Sequence, residues 1–394
     1  MIRQLTPKVF SVGAVDWDRR LFDELIPLPQ GTTYNAYLIK ASEKTALLDT
    51  VDPSMANKLI DNLVDAGVDK LDYIVAHHAE QDHSGAIPDV LAIHPEAKVV
   101  ANKKCRQMLI DHLEIDPDAF LTVEDGQSLS LGDKTLRFIN IPWVHWPETM
   151  GTYLPEDAVF FSCDFFGSHL AASGPFAENE SALYESAKRY YAEIMMPFRT
   201  SVKKNIEKIK DLKIDIIATS HGPVHNRPSF IIDAYSDWAS DKVKNEAVIA
   251  YVSMHGSTRK MVEYLTDRLS EKGVRVHRFD LPKTDLGKLA ISLVDAATVI
   301  IGSGTVLAGP HPEAVNACVV ANALRPKTRF ASVLASYGWA SKCAEQISQL
   351  LPNLKVEIIE PVTVKGSPGA ADLEQIERLA DNILAKHKEL GITR

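Results

Sequence analysis

The 394-residue chain has no apolar run near the ~20 residues that span a bilayer, which argues against a transmembrane protein. Cysteine is scarce: Cys105, Cys163, Cys318 and Cys343 are widely separated and form no CxxC pair, which excludes a zinc ribbon, an iron–sulfur cluster or a four-cysteine iron module and leaves reduced thiols. Positive charge is also short. Lys and Arg number 43 against 52 Asp and Glu, a net charge of -9, and no basic run follows a phosphate backbone, so nucleic acid is not an expected partner. The N-terminal MIRQLTPKVF lacks a signal-peptide core and passes into an alternating strand pattern, so a cytoplasmic location is expected.

The length predicts two domains, and the rhythm of the chain changes between its halves. Up to about residue 225, the short apolar runs TTYNAYLIK, KTALLDT, LDYIVA, AKVVA, KTLRFINI, DAVFFS and IDIIATS are joined by mixed helices and turn-rich loops. This predicts two sheets with helices outside, an αββα sandwich. From residue 246 strands and helices alternate strictly: AVIAYVS, a helix from Thr258, VRVHRFD, a helix, ATVIIGS, a helix, RFASVLAS, a helix, KVEIIE and a final helix over 371–388. Nearly all-apolar strands alternating with helices predict a doubly wound parallel sheet. The expected domains are therefore 1–245 and 246–394, divided near DKVKNE after a helix starting around Pro228.

The stretch HHAEQDHSGAIP follows a buried strand and offers His78, Glu80, Asp82 and His83. His145 follows KTLRFINI in INIPWVHWPE, Asp164 ends DAVFFSCD, and His221 ends IDIIATSHG. A lone histidine is more often packed than ligating, and Asp164 alone reads equally as a helix cap or turn residue. The coincidence of these groups at four strand exits predicts a metal site. Seven ligands exceed one tetrahedral zinc, whereas an ion pair ~3.5–4 Å apart, sharing one carboxylate, uses such a set. His77, on the opposite side of the strand end, is assigned a packing or supporting role; His94, His112, His169, His225 and His311 have no comparable support.

In the second half, AVIAYVSMHGSTRKM places Ser253, Met254, His255, Gly256, Ser257 and Thr258 between a strand and a helix. Hydroxyls, backbone N–H groups and a helix N-terminus suit one anionic group. Without G-x-G-x-x-G, the loop fits a mononucleotide phosphate better than a dinucleotide pyrophosphate. Two later strand exits join it: GSGTVLAGPHP, with Ser303, Gly304 and Thr305, and ASYGWASK, with Ser336, Tyr337, Gly338 and Trp339. Open parallel sheets bind ligands at this edge, and Tyr337 and Trp339 offer aromatic contacts to a flat ring.

H-x-[HE]-x-D-H after a strand, with later H, D and H at strand ends, resembles the metallo-β-lactamase fold, whose hydrolases usually place a histidine where Glu80 stands. A carboxylate there makes the site harder and favours iron over zinc. With GTTYNAYLI, VHWPETM, SCDFFG and the second domain, the whole chain resembles the flavodiiron proteins, or A-type flavoproteins. The resemblance implies a metallo-β-lactamase-like domain followed by a flavodoxin-like one, FMN in the three loops, and two iron ions per chain. One iron would be held by His78, Glu80 and His145, the other by Asp82, His83 and His221, with Asp164 bridging. It also implies Tyr191, in RYYAEIMMP, as a pocket tyrosine with a catalytic role. The implied reaction takes dioxygen to water or nitric oxide to nitrous oxide. Electrons would come from an external donor such as rubredoxin or a reduced deazaflavin, through a head-to-tail homodimer or a dimer of dimers. Two positions depart from the family: Gly304 stands where a proline usually follows the serine, and Asp23 stands about where a pocket histidine falls. Two other readings compete. One is a hydrolase of the metallo-β-lactamase fold with a flavodoxin-like regulatory module. The other is an electron-carrying flavoprotein with a merely structural metal site.

Overall fold

The structure is a computed structural model in which residues 2–393 are described. The chain forms two compact units, one running to Tyr191 and again over Phe198–Ala239, the other comprising Ala192–Pro197 and the chain from Ser240 onward. Among the described residues no helix is long and apolar enough to cross a membrane.

The first unit holds a seven-stranded and a five-stranded sheet. In the seven-stranded sheet the order is Arg3–Thr6, Val9–Ser11, Tyr37–Lys40, Thr45–Leu48, Tyr73–Val75, Lys98–Asn102 and Phe120–Val123. Its first four strands pair antiparallel, and from Thr45–Leu48 onward the pairing is parallel. The five-stranded sheet runs Ser128–Ser130, Thr135–Asn140, Met150–Leu154, Val159–Cys163 and Ile216–Thr219, with only the last pair parallel. Side-chain alternation explains the layering. Ile39, Ala46, Leu48 and Val75 form a core with Phe138, Met150, Leu154 and Phe161 of the second sheet, while Leu38, Leu47 and Ile74 face Leu59, Ile87 and Leu109.

The expected single strand TTYNAYLIK is two strands, Thr32–Tyr34 and Tyr37–Lys40. Asn35 interrupts it because its backbone N–H donates to Ser220 O at 2.8 Å and its Nδ2 to Thr219 O and Gly222 O at 2.8 and 2.7 Å. That break ties the sheet to the loop carrying His221. Met150–Leu154, which no apolar run announced, is buried throughout despite Thr152, whose hydroxyl meets Nε2 of His77 at 2.7 Å.

The second unit is a parallel sheet in the order Arg275–Asp280, Lys244–Val252, Ala296–Val306, Phe330–Tyr337 and Glu357–Ile358. Both faces are covered. Val248, Ala250, Val299 and Ile301 pack with Leu289, Leu293, Cys318 and Ile347; Ile249, Ile300 and Leu334 pack with Met261, Leu265, Leu269, Leu379 and Ile383. The first strand begins at Lys244, two residues before the expected boundary, because Lys244 pairs with Ala296 of the neighbouring strand. The expected strand KVEIIE is reduced to Glu357–Ile358, and Val362–Lys365 takes up the pairing with Phe330–Tyr337. Pro361, which has no N–H to donate, separates the two.

His387, in the helix Ala370–Glu389, is buried between Thr298 Oγ1 at 2.8 Å and Asn245 Oδ1 at 2.7 Å, and burial pushes its imidazole down to about 4. A depressed histidine is neutral when folded, so its stabilising contribution is full above the unfolded value of ~6.5 and is lost as pH falls from there toward the folded value. The urea midpoint of this unit is therefore expected to fall between pH 6.5 and 4, with about one extra proton bound on unfolding near pH 5 attributable to this residue. His387→Gln should remove that proton from the linkage. An unchanged pH slope would contradict the assignment.

Candidate functional site

Parallel strands bring their carboxyl ends to one edge, and the polar groups of the first unit follow those ends. His78 and Glu80 come after Tyr73–Val75, and a single helical turn, Gln81–Ser84, carries Asp82 and His83. Asp164 follows Val159–Cys163 and His221 follows Ile216–Thr219. His145 lies in the loop between Thr135–Asn140 and Met150–Leu154. Asp49, just after the strand Thr45–Leu48, and Cys163, at the end of Val159–Cys163, have φ of 55° and 54°, left-handed values that non-glycine residues adopt at a cost of about 1–3 kcal/mol.

All seven candidate ligands converge into two groups. In the first, Glu80 Oε2 is 3.0 Å from Nε2 of both His78 and His145, and Asp164 Oδ2 lies 3.6 and 3.5 Å from the same two nitrogens. In the second, Asp82 Oδ1 is 3.3 Å from His83 Nε2 and Oδ2 is 3.0 Å from His221 Nε2, with Asp164 Oδ1 at 3.1 and 3.4 Å from these nitrogens. Each group thus has two imidazoles, one carboxylate of its own and one oxygen of Asp164. Ligands at right angles about one ion, each ~2.1 Å from it, stand ~3.0 Å apart, so these are ligand-to-ligand spacings.

The residues fit an ion pair. Both oxygens of Asp82, Asp164 Oδ2 and His83 Nε2 are buried without a hydrogen bond, a costly state for polar atoms unless a cation fills it. Burial opposes charge here, yet the neighbours outweigh it in both directions. Glu148 and Glu80 push His78 up to about 9, and His83 and His221 hold Asp164 well below the carboxylate range. The outer contacts fix the rings: His78 Nδ1 meets Glu148 Oε1 at 2.7 Å and His221 Nδ1 donates to Thr33 O at 2.7 Å. Gly222, at φ 79°, lets its N–H donate to Thr33 Oγ1 at 2.7 Å, where an added Cβ would lie 2.1 Å from Ser168 Oγ.

Other candidates fall differently. His77 stands outside both groups, its ring held by Asp49 Oδ2 and Thr152 Oγ1, both at 2.7 Å. Tyr190, the neighbour of the expected Tyr191, reaches the cluster: its hydroxyl donates to Asp164 Oδ1 at 2.9 Å. Consecutive helical residues point about 100° apart, and the Tyr191 ring packs against Tyr235 and Trp238 at 5.3 and 5.4 Å. A cleft of about 830 Å³ opens onto the first group and Asp82, lined by Asp23, Glu80, Asp82, His112 and Trp146 among others. Trp146 stands edge-on to His78 at 4.9 Å. Burial, then the nearby Glu80 and Asp82, pull the Asp23 carboxyl upward. His169 was passed over in sequence, yet its ring lies 5.0 Å from that of His221.

In the second unit Ser253, Met254, His255, Ser257, Thr258, Gly304, Thr305, Ser336, Tyr337 and Gly338 line a cleft of about 330 Å³. Gly256 stands at φ 93° before the helix Ser257–Glu271, and Ser253 Oγ accepts the N–H groups of Gly256 and Arg259, both at 3.2 Å. Ser303 and Trp339 stand apart from the other expected residues, and one residue joins them. Ser303 braces its own loop, donating to Gly304 O at 2.8 Å and accepting from His311 N at 3.0 Å. Trp339 is 75% exposed and lies outside the cleft lining. Gly366, unnamed in sequence, joins the lining because Val362–Lys365 is one more parallel strand with a glycine at its exit. A larger cleft of about 910 Å³ lies at the opposite end of the strand Lys244–Val252, where Lys244 and Lys272 are already met by Asp295 and Glu377 at 3.0 and 2.8 Å.

The profile of the ODP family beta lactamase matches residues 32–222. The chain is 37% identical to a nitric oxide reductase of Moorella thermoacetica, over 97% of this chain and 98% of that one. Its fold superposes on rubredoxin oxygen:oxidoreductase from Desulfovibrio gigas with a TM-score of 0.94 and 29% identity, covering 99% of both chains. The flavodiiron protein from Giardia intestinalis follows at 0.90 and 27%, covering 98% of both.

Two outcomes are expected from this geometry. Because His78 holds a proton until about pH 9 when no ion is present, Co(II) uptake by metal-free protein should release protons and strengthen as pH rises toward that value. A pH-independent affinity would contradict this. Tyr190→Phe should weaken ion binding ~10-fold, within the ~10–100-fold typical of outer partners, while Asp164→Asn should cost more and affect both ions. Isothermal titration separates the two cases.

Proposed function

Since the chain belongs to the flavodiiron, or A-type flavoprotein, family and is an oxidoreductase, we propose that it holds FMN and two iron ions and reduces dioxygen to water, nitric oxide to nitrous oxide, or both. The observation that carries the reading is Asp164, whose two oxygens each face a group of two imidazoles and one carboxylate. When bound, the irons and the flavin supply the electrons and the open coordination positions at which a diatomic molecule is reduced.

The chain's own residues do the rest. Glu80 and Asp82 each give one ion position a carboxylate of its own, which favours a hard, redox-active metal over the zinc of hydrolases. Asp164 holds the two positions at a fixed separation. Tyr190 restrains the Asp164 oxygen that faces His83 and His221, and the edge of Trp146 shields His78 from water. Asp23 presents its carboxylate on the cleft wall beside Glu80 and Asp82, within the space open to a substrate. At the other site, Ser253, Gly256 and Ser257 with the helix N-terminus suit the FMN phosphate, and the later loops through Tyr337 and Gly338 would flank the ring.

As further parts of this reading, the domains meet near residue 245, the protein works in the cytoplasm, and it assembles as a head-to-tail homodimer or a pair of such dimers. An external donor, rubredoxin or a reduced deazaflavin, delivers the electrons. Glu80, within ligand distance of two imidazoles, weighs against the hydrolase alternative.

Protein purified without oxygen should contain two iron ions and one FMN per chain, and once reduced it should consume dioxygen or nitric oxide. Zinc in both positions after iron-supplemented expression would overturn the reading. Loss of a hydrogen bond to a charged group costs about 1.5–3 kcal/mol, so Ser257→Ala should weaken FMN retention ~10–100-fold, as read by flavin fluorescence.

A further inference from the structure

The two ligand groups are matched in their inner contacts: each offers two Nε2 atoms, one carboxylate of its own and one oxygen of Asp164. What stands behind them differs. Behind His78 is a carboxylate, for Glu148 Oε1 meets Nδ1 at 2.7 Å and also accepts the Ala79 N–H at 3.1 Å. Behind His221 is a neutral carbonyl, Thr33 O. Among the described residues, His78 is the one ligating histidine with a carboxylate at hydrogen-bonding distance of Nδ1; Asp49 lies within 4.8 Å of a His83 ring nitrogen, but its two oxygens are taken by His77 N and His77 Nδ1, at 2.8 and 2.7 Å. On the other side, the Tyr190 hydroxyl draws charge from the Asp164 oxygen facing His83 and His221.

Glu148 is itself firmly held. It is buried, lies two residues before the strand Met150–Leu154, and its backbone carbonyl accepts from Asn102 Nδ2 at 2.6 Å. Asn102 in turn caps the helix Lys103–Leu113 with its side chain. The other oxygen, Oε2, has no hydrogen-bond partner in its buried place. An acceptor placed so rigidly fixes which ring nitrogen of His78 carries hydrogen and turns Nε2 to the ion. A negative charge there increases electron donation by the imidazole and stabilises a more highly charged cation.

We propose that Glu148 is the positioning residue that makes the two ion positions unequal, favouring tighter binding and the higher oxidation state at His78, Glu80 and His145 over Asp82, His83 and His221. The inference rests on the diiron reading above, but it concerns a difference between the positions that the reading does not require. Glu148→Gln separates charge from shape, because the amide oxygen still accepts both N–H groups. Metal-free protein, with FMN retained, would be titrated anaerobically with Co(II), and the midpoint potentials of the iron-loaded protein measured by EPR-monitored titration.

In the variant, one Co(II) affinity should fall ~10–100-fold while the other changes by less than about threefold. One iron potential should rise, a tenfold loss of ferric over ferrous preference corresponding to about 59 mV. Equal weakening of both steps, or no change in either, would overturn the proposal. Should the variant not fold, the unmodified protein decides: crystals grown with one equivalent of Co(II) should show anomalous scattering at His78, Glu80 and His145, and cobalt at Asp82, His83 and His221 instead would overturn it. Failure of the unmodified protein to bind Co(II) would reject the diiron reading itself, a result distinct from two equal sites.

Discussion

Three carboxylates, Glu80, Asp82 and Asp164, are brought among four imidazoles at the edge of a buried sandwich, and their mutual repulsion is the constraint on which the first unit is organised. Buried charge of one sign is tolerated only when cations or donors compensate it. In the ion-free protein the imidazoles do this by holding protons, as the raised His78 and His83 show. Two divalent ions would compensate three carboxylates better and would satisfy the orphaned atoms of Asp82, Asp164 and His83. The ions would thus be part of the fold's electrostatics as well as of its chemistry.

The architecture holds that charge in place with backbone rather than with long side chains. Each ligand is within a few residues of a strand or on one helical turn, where loss of conformational freedom has already been met by the sheet. The left-handed residues Asp49 and Cys163, the break at Asn35 and the glycine at 222 are local departures from regular structure, and each turns a strand end toward the cluster or ties it to a neighbouring loop. The flavin unit uses the same device in simpler form: parallel strands end together, and small or hydroxylated residues at their exits leave a polar cleft.

The ligands were legible because a metal site needs polar groups where apolar runs stop, a contrast visible along the chain at His78, Asp164 and His221. The parallel sheet of the flavin unit was legible for a similar reason, since nearly all-apolar strands alternating with helices pack as a sheet covered on both faces. What sequence did not reveal depends on contacts between distant segments. Tyr190 and Tyr191 are adjacent, and only the pitch of the helix decides which one meets Asp164. Glu148 and Thr33 lie 70 and 188 positions from the histidines they hold, and although they fall within VHWPETM and GTTYNAYLI, neither stretch indicates which ring its residue meets. Ser303 carries a hydroxyl at a strand exit, and only the structure shows that this hydroxyl donates to Gly304 O and accepts from His311 N beside the hairpin that follows. The strand KVEIIE was overestimated because the effect of Pro361 on the ladder outweighed the apolar run before it.

One carboxylate, Asp164, is placed to span two ion positions. Iron K-edge absorption fine structure on the fully loaded protein measures this directly. An iron–iron vector at ~3.5–4 Å is expected together with nitrogen and oxygen neighbours. The absence of any metal–metal vector in protein containing two irons per chain would contradict it.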